Sequence, residues 1–191
     1  MSEAAVPQRI ARPNGWWGVA TFVATEATLF GVIFGTYFYI RFQHDAWPPP
    51  GIPKPEVAGP LILTAVLVAT SIPIQLALRA ARAGRVRAAR WLLVVPIVVQ
   101  IGYFAMQIRL FDDDLAKFGP QENAYGSVYY LLLGAHHTHV VIGILLEVFL
   151  LSRLLKGITA YRLVGLQTTA FYWHFVNVLA IAVVAVELSA A

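Results

Sequence analysis

The 191-residue sequence contains no cysteine. Disulfide frameworks, thiolate metal sites, iron–sulfur clusters and cysteine nucleophiles are therefore excluded. Charge is also scarce. Charged residues make up 13% of the chain, against about a quarter in soluble domains. There is no Gly-rich phosphate loop, and no polar stretch is long enough for a nucleotide-binding domain. The lack of an internal repeat argues mildly against an inverted-repeat transporter. Ser71 and Ser127 have nothing in the sequence that would set them in an activated triad.

What remains is apolar. Hydrophobic residues make up 59% of the sequence, and mean hydropathy is +0.68. A membrane span needs roughly 20 apolar residues. Five runs qualify, at about 16–40, 57–78, 89–108, 125–151 and 163–188. They are continuous and lack period-2 alternation, which argues against a β-barrel. The expectation is an all-α integral membrane bundle of five transmembrane helices. It forms one domain over 16–190, behind a polar tail at 1–15. The first run is too long for a cleavable signal peptide and is expected to act as the insertion signal.

Basic residues divide by loop. Arg9, Arg12, Arg79, Arg82, Arg85, Arg87, Arg90, Arg153, Lys156 and Arg162 fall on one side; Arg41, Lys54, Arg109 and Lys117 fall on the other. The positive-inside rule then places the N-terminus in the cytoplasm and the C-terminus outside. The net charge of +4 is thus read as topology, with no nucleic-acid partner. On the outer side, Trp47 to Pro55 is proline-rich and expected to be extended. Asp112, Asp113 and Asp114 are expected to begin an acidic loop. It is read as solvated, with docking of a basic partner as the alternative. Trp16, Trp17 and Trp91 at one set of helix ends, and Tyr37, Tyr39, Tyr125, Tyr129 and Tyr130 at the other, fit interfacial belts. Pro73 and Pro96 should kink their helices. Gly31 and Gly35 form a small-xxx-small pair suited to close helix packing.

Ionisable groups at bilayer depth cost about 2.5–3.5 kcal/mol each on insertion scales. Glu26 lies about 15 Å along the first helix. It reads either as a proton-handling carboxyl or as a carboxyl satisfied by a neighbouring helix. On the fourth helix, His136, His139, Gly143 and Glu147 share one stripe at about 100° per residue, and His137 points elsewhere. On the fifth, Gln167, His174 and Asn177 fall on roughly one stripe. Two polar stripes on consecutive helices are expected to share a buried seam that faces the bundle. Two histidines at i, i+3 with a carboxylate elsewhere can bind zinc or iron. Without HExxH or repeated Glu-x-x-His, a hydrogen-bonded packing network is the preferred reading.

The same residues carry a family resemblance. WWGVATFVATEATLFGVIFGTYFYIRF resembles the haem–copper oxidase subunit III helix that holds an intramembrane glutamate. GAHHTHVVIG is similar to that family's G-x-H-x-x-H-V-x-I-G, and FYWHFVNV to its W-Y-W-H-F-V-D-V. The order matches, with a basic loop between the last two motifs. The resemblance covers about 16–187 and is to the five-helix form (cytochrome c oxidase subunit 3). It implies a non-catalytic subunit of a respiratory terminal oxidase in the cell inner (plasma) membrane. Such a subunit binds no haem or copper and binds lipids. It packs against a haem-bearing catalytic subunit I, alongside a copper-bearing subunit II. It supports proton uptake and protects turnover from inactivation. Glu26, His136, His139 and His174 match the family's intramembrane polar residues. Asn177 stands where the family has aspartate, and Gln167 where a glutamate is often found, so both of those carboxyls are replaced by amides on that helix. Cytochrome c and quinol oxidases share this subunit, and a related one accompanies some nitric oxide reductases. A small transporter or proton channel and a membrane metalloenzyme are the alternatives of a different class.

Overall fold

The computed structural model describes residues 13–190. Arg9 and Arg12 lie outside them, as does most of the expected tail. Six helices follow in order: α1 (Asn14–Arg41), α2 (Ala58–Ala69), α3 (Ser71–Arg82), α4 (Val86–Leu115), α5 (Ala124–Leu154) and α6 (Ala160–Leu188). No strand occurs among the described residues. Taken together, α2 and α3 form one span, so five segments are long and apolar enough to cross a membrane. The chain is a multi-pass membrane protein.

Pro73 does more than kink the second span. The helix divides at Thr70, and Pro73 becomes the third residue of α3. A proline is tolerated in the first turn of a helix, where its missing N–H would have no intrahelical partner. Thr70 N–H bonds to the Leu67 carbonyl at 3.1 Å and Ile74 N–H to the Thr70 carbonyl at 3.4 Å, so backbone hydrogen bonds bridge the break. α4, in contrast, runs unbroken through Pro96.

α4 also runs further than its apolar residues require. The expected acidic loop is instead helix: Asp112, Asp113 and Asp114 lie in the last turns of α4. Carboxylates at a helix C-terminus oppose the macrodipole. Local partners offset this. Lys117 Nζ lies 3.0 Å from Asp114 Oδ1, and the Tyr129 hydroxyl donates to Asp114 Oδ2 at 2.7 Å. The hydrogen bond to Asp114 holds the exposed Lys117 ammonium above its ordinary pKa. The proline-rich loop is not simply extended either. It turns at Pro49–Ile52, with Gly51 at φ 97°, and its Trp47–Pro48 peptide is cis. Trp47 folds back on the bundle: its indole donates to the Tyr37 hydroxyl at 2.8 Å and packs edge-on against Tyr125.

Helix ends are tied down locally. Asn123 caps α5 by accepting from Gly126 N–H at 2.8 Å, and Thr159 caps α6 by accepting from Arg162 N–H at 3.2 Å. At the other end of α5, Arg90 from α4 reaches the orphan carbonyls. Its Nε and Nη2 donate to Leu154 O at 3.0 and 2.8 Å.

α6 is the central helix and α1 the peripheral one. The most apolar stretch of α6 is 56% buried, that of α1 only 11%. Gly143 makes room for the Trp173 ring of α6. A Cβ built there would meet Trp173 Cε3 and Cζ3 at 2.5 Å. Gly31 and Gly35 do not play that part. Both are exposed, and a Cβ at either would meet nothing within 4 Å. The close packing expected of that pair is not made within this chain.

Candidate functional site: the intramembrane polar contacts

Of the expected polar residues, His136, His139, Glu147 and Asn177 are buried and Glu26, Gln167 and His174 are half-buried, but they do not form one seam. They form three separate contacts, each joining a different pair of helices.

The first joins α1 to α5. His139 Nδ1 lies 2.7 Å from the Ala135 carbonyl, and His139 Nε2 lies 2.9 Å from Glu26 Oε2. A carbonyl only accepts, so Nδ1 carries a proton. The Nε2–Oε2 contact then holds one further proton, shared between imidazole and carboxyl. The pair is neutral overall whichever partner holds it. Its side chains are 8% and 18% exposed. Phe30 packs edge-on against the His139 ring at 5.2 Å and screens it from one side. Glu26 is therefore engaged by a neighbouring helix.

The second joins α4 to α5. Gln100 Nε2 donates to Glu147 at 3.1 and 3.2 Å, one distance to each carboxyl oxygen. Both residues are fully buried. Glu147 thus turns to α4, while His139 on the same helix turns to α1. The stripe drawn through them on α5 is real in burial and divided in partners.

The third joins α6 to the α2–α3 break. Asn177 Nδ2 donates to Ser71 Oγ at 2.6 Å, and His174 Nδ1 lies 3.1 Å from the same oxygen. The Trp173 indole donates to Thr70 Oγ1 at 2.8 Å. The broken span is stitched to α6 at the two residues where it breaks. The expected seam between α5 and α6 is thereby corrected. The side chains of His174 and Asn177 bond to α3. α5 and α6 meet through apolar packing that includes the Gly143–Trp173 contact, with Tyr172 donating to the His139 carbonyl at 3.3 Å.

Two expected residues stand apart. His136 is buried, yet neither ring nitrogen has a hydrogen-bond partner among the described residues. Gln167 is half-exposed and makes no side-chain hydrogen bond among them. His137 faces α4, edge-on to Phe104 and Phe111. No group of three or more metal-ligating side chains converges among the described residues.

Sequence reasoning missed the partners more than the principals. Gln100, Thr70 and Ser71 complete these contacts, and Gln75 Oε1 lies 3.4 Å from His174 Nε2. Each was visible as a polar residue inside an apolar run, and Thr70 and Ser71 also stand just before a proline.

Comparison with known proteins places this arrangement. The family model for cytochrome c oxidase subunit III matches residues 10–186. The chain is 30% identical over 165 residues to cytochrome c oxidase subunit 3 of Thermostichus vulcanus, covering 85% of this chain and 80% of that one. It is also 30% identical over 173 residues to cytochrome bo(3) ubiquinol oxidase subunit 3 of Pseudomonas aeruginosa, covering 89% and 82%. Against cytochrome c oxidase subunit 3 of Coturnix japonica it is 29% identical over 170 residues. There the match covers 85% of this chain but only 64% of the relative.

Proposed function

The chain belongs to the cytochrome c oxidase subunit III family, and from that premise we propose that it is a non-catalytic subunit of a respiratory haem–copper oxidase. Its relatives are subunits of multi-subunit oxidases. In the proposed assembly the haem lies in a catalytic subunit I and copper in a subunit II, with electrons arriving from cytochrome c. The membrane is the cell inner (plasma) membrane, with the arginine-rich end of the bundle in the cytoplasm. The chain stabilises the catalytic subunit and supports its proton uptake, in contact with membrane lipids.

One observation supports the structural role above others. Glu26 and His139, which sit in two of the three family-like motifs, meet at 2.9 Å and tie α1 to α5. This contact gives the most peripheral helix a polar attachment to the bundle within the span. Gln100–Glu147 and Ser71–Asn177 do the same for other helix pairs. These polar groups are engaged in pairs between helices, as expected of buried polar groups that fix a packing arrangement.

The test removes the chain from the purified oxidase. Haem content and initial rate per haem should persist, while activity decays faster over repeated turnovers. Loss of haem along with the chain would place it in the catalytic core and overturn the proposal. A quinol-oxidizing assembly is the second reading, favoured by the equal identity to the bo(3) ubiquinol oxidase subunit. Reduction of the purified complex by ubiquinol, with no response to cytochrome c, would establish it.

A further inference from the structure

At the end of the bundle away from the arginine-rich loops lies a cavity of about 140 Å³. α4, α5, α6 and the segment leading into α2 enclose it. A water fills about 30 Å³ of liquid, so a planar ion several atoms across fits inside. The charge around it is lopsided. Glu56, Asp113, Asp114 and Glu187 line it, against Lys54 and Lys117. Asp114 is already satisfied, with Lys117 Nζ 3.0 Å from one oxygen and the Tyr129 hydroxyl 2.7 Å from the other. Lys117 is thereby engaged as well. Glu56 and Asp113 are exposed at the rim, where water serves them.

Glu187 differs. It is only 9% exposed, and its carboxyl forms no hydrogen bond or ion pair among the described residues. It stands in the wall shared with a smaller recess of about 40 Å³, which reaches Gln107 and Leu133. A buried carboxylate without a counter-charge is costly. Lys54 is exposed and makes no ion pair with it. Arg41 and Arg109, this chain's own arginines at the same end, do not line the cavity. The walls limit what can supply the missing charge. Phe118, Tyr125 and Tyr129 all line the cavity, their ring centroids 5.4 to 5.7 Å apart. No three metal-ligating side chains converge among the described residues, so the donor set is poor for a bare metal ion. One buried carboxylate among aromatic walls suits a guanidinium. That ion is planar and weakly hydrated, and it donates two parallel N–H groups to one carboxylate. Its face also stacks on aromatic rings.

We propose that this cavity receives a single arginine side chain from a partner subunit. Its guanidinium pairs with Glu187 and lies against the tyrosine and phenylalanine rings, while Asp113 and Glu56 draw it in from the rim. The inference rests on the multi-subunit reading above, because the arginine comes from another chain.

Arginine-directed labelling of the intact oxidase tests it, with phenylglyoxal as reagent and mass spectrometry of every subunit as readout. In wild type one partner arginine should stay unmodified. In Glu187→Gln it should react about tenfold faster, the change expected on losing one charge-assisted hydrogen bond. Asp113→Asn, at the exposed rim, should raise the rate less and in the same direction; it supplies the comparison if Glu187→Gln does not assemble. Asp112→Asn removes an exposed carboxyl outside the cavity and should change nothing. A photoreactive side chain at Pro53, on the rim, should cross-link to the segment that carries the protected arginine. The two ways of failing differ. A wild-type chain purified without a haem subunit would sink the oxidase reading and this inference with it. A complete haem-containing complex with no protected partner arginine, or with Glu187→Gln and Asp112→Asn reacting alike, would overturn the cavity assignment alone. Shielding of Lys54 from an amine-directed reagent, or a stoichiometric divalent metal, either one lost in Glu187→Gln, would give the cavity another occupant and would likewise overturn it.

Discussion

Replacing Glu26 separates a helix tie from a proton carrier. His139 holds its Nδ1 proton against Ala135 O at 2.7 Å, so its Nε2 must be satisfied by Glu26. Glu26→Ala leaves that nitrogen without a partner in a side chain only 8% exposed. An orphaned buried polar group costs about 1–3 kcal/mol. If the pair is ionised, loss of one member costs about 3–5 kcal/mol. Glu26→Gln differs in kind. Its amide N–H donates to Nε2 in much the same place, so a loss below about 1 kcal/mol is expected. A ratio of about fivefold or more in the unfolding equilibrium should therefore separate the two variants. Titration of the purified protein with a denaturing detergent, followed by tryptophan near-UV signal, gives the comparison. In the assembled oxidase, Glu26→Gln should leave haem content intact while shortening the run of turnovers before inactivation. If Gln and Ala were equally destabilising, or Ala cost nothing, the tie would not be what Glu26 supplies.

Gly143→Ala should destabilise by about 1–3 kcal/mol, since its Cβ would sit 2.5 Å from the Trp173 ring and core side chains give way only with strain; Gly134→Ala, which meets nothing within 4 Å, should be neutral or slightly stabilising in the same titration. Gln100→Leu should cost about 1–3 kcal/mol by stranding Glu147, while the double change with Glu147→Leu should recover much of that loss. His136→Leu should be neutral or stabilising, because it removes a buried ring that has no hydrogen-bond partner. Elemental analysis of the purified chain should find no stoichiometric metal; a metal lost on His136→Ala would revive the metalloenzyme alternative.

Much of this architecture is legible in the sequence because bilayer insertion demands long apolar runs, and runs of that length are hard to miss. The five spans stand out for that reason. What the sequence conceals is how spans are interrupted and prolonged. The break beside Pro73 is held by Trp173 and Asn177, which bond to Thr70 and Ser71 across about a hundred residues, a relation no local pattern records. The helical ending of α4 is hidden for a similar reason. Three aspartates read as loop until Tyr129 and Lys117 are seen to satisfy Asp114. The candidate site divides likewise. Helical spacing places His136, His139 and Glu147 on one buried face, and they are buried. Periodicity gives a residue's face but not which neighbouring helix that face meets. Glu26 with His139, and Glu147 with Gln100, were therefore visible only as separate residues.

The central claim is that this chain is held in a complex with a haem-bearing subunit. The most direct measurement is affinity purification through a tag on this chain, in mild detergent, with haem spectra and subunit masses read on the eluate. The account predicts a haem-containing, many-helix catalytic subunit in one-to-one ratio with this chain, reduced in amount by Glu26→Ala but not by Glu26→Gln. Elution of the chain without haem, with the oxidase left in the unbound fraction, would contradict it.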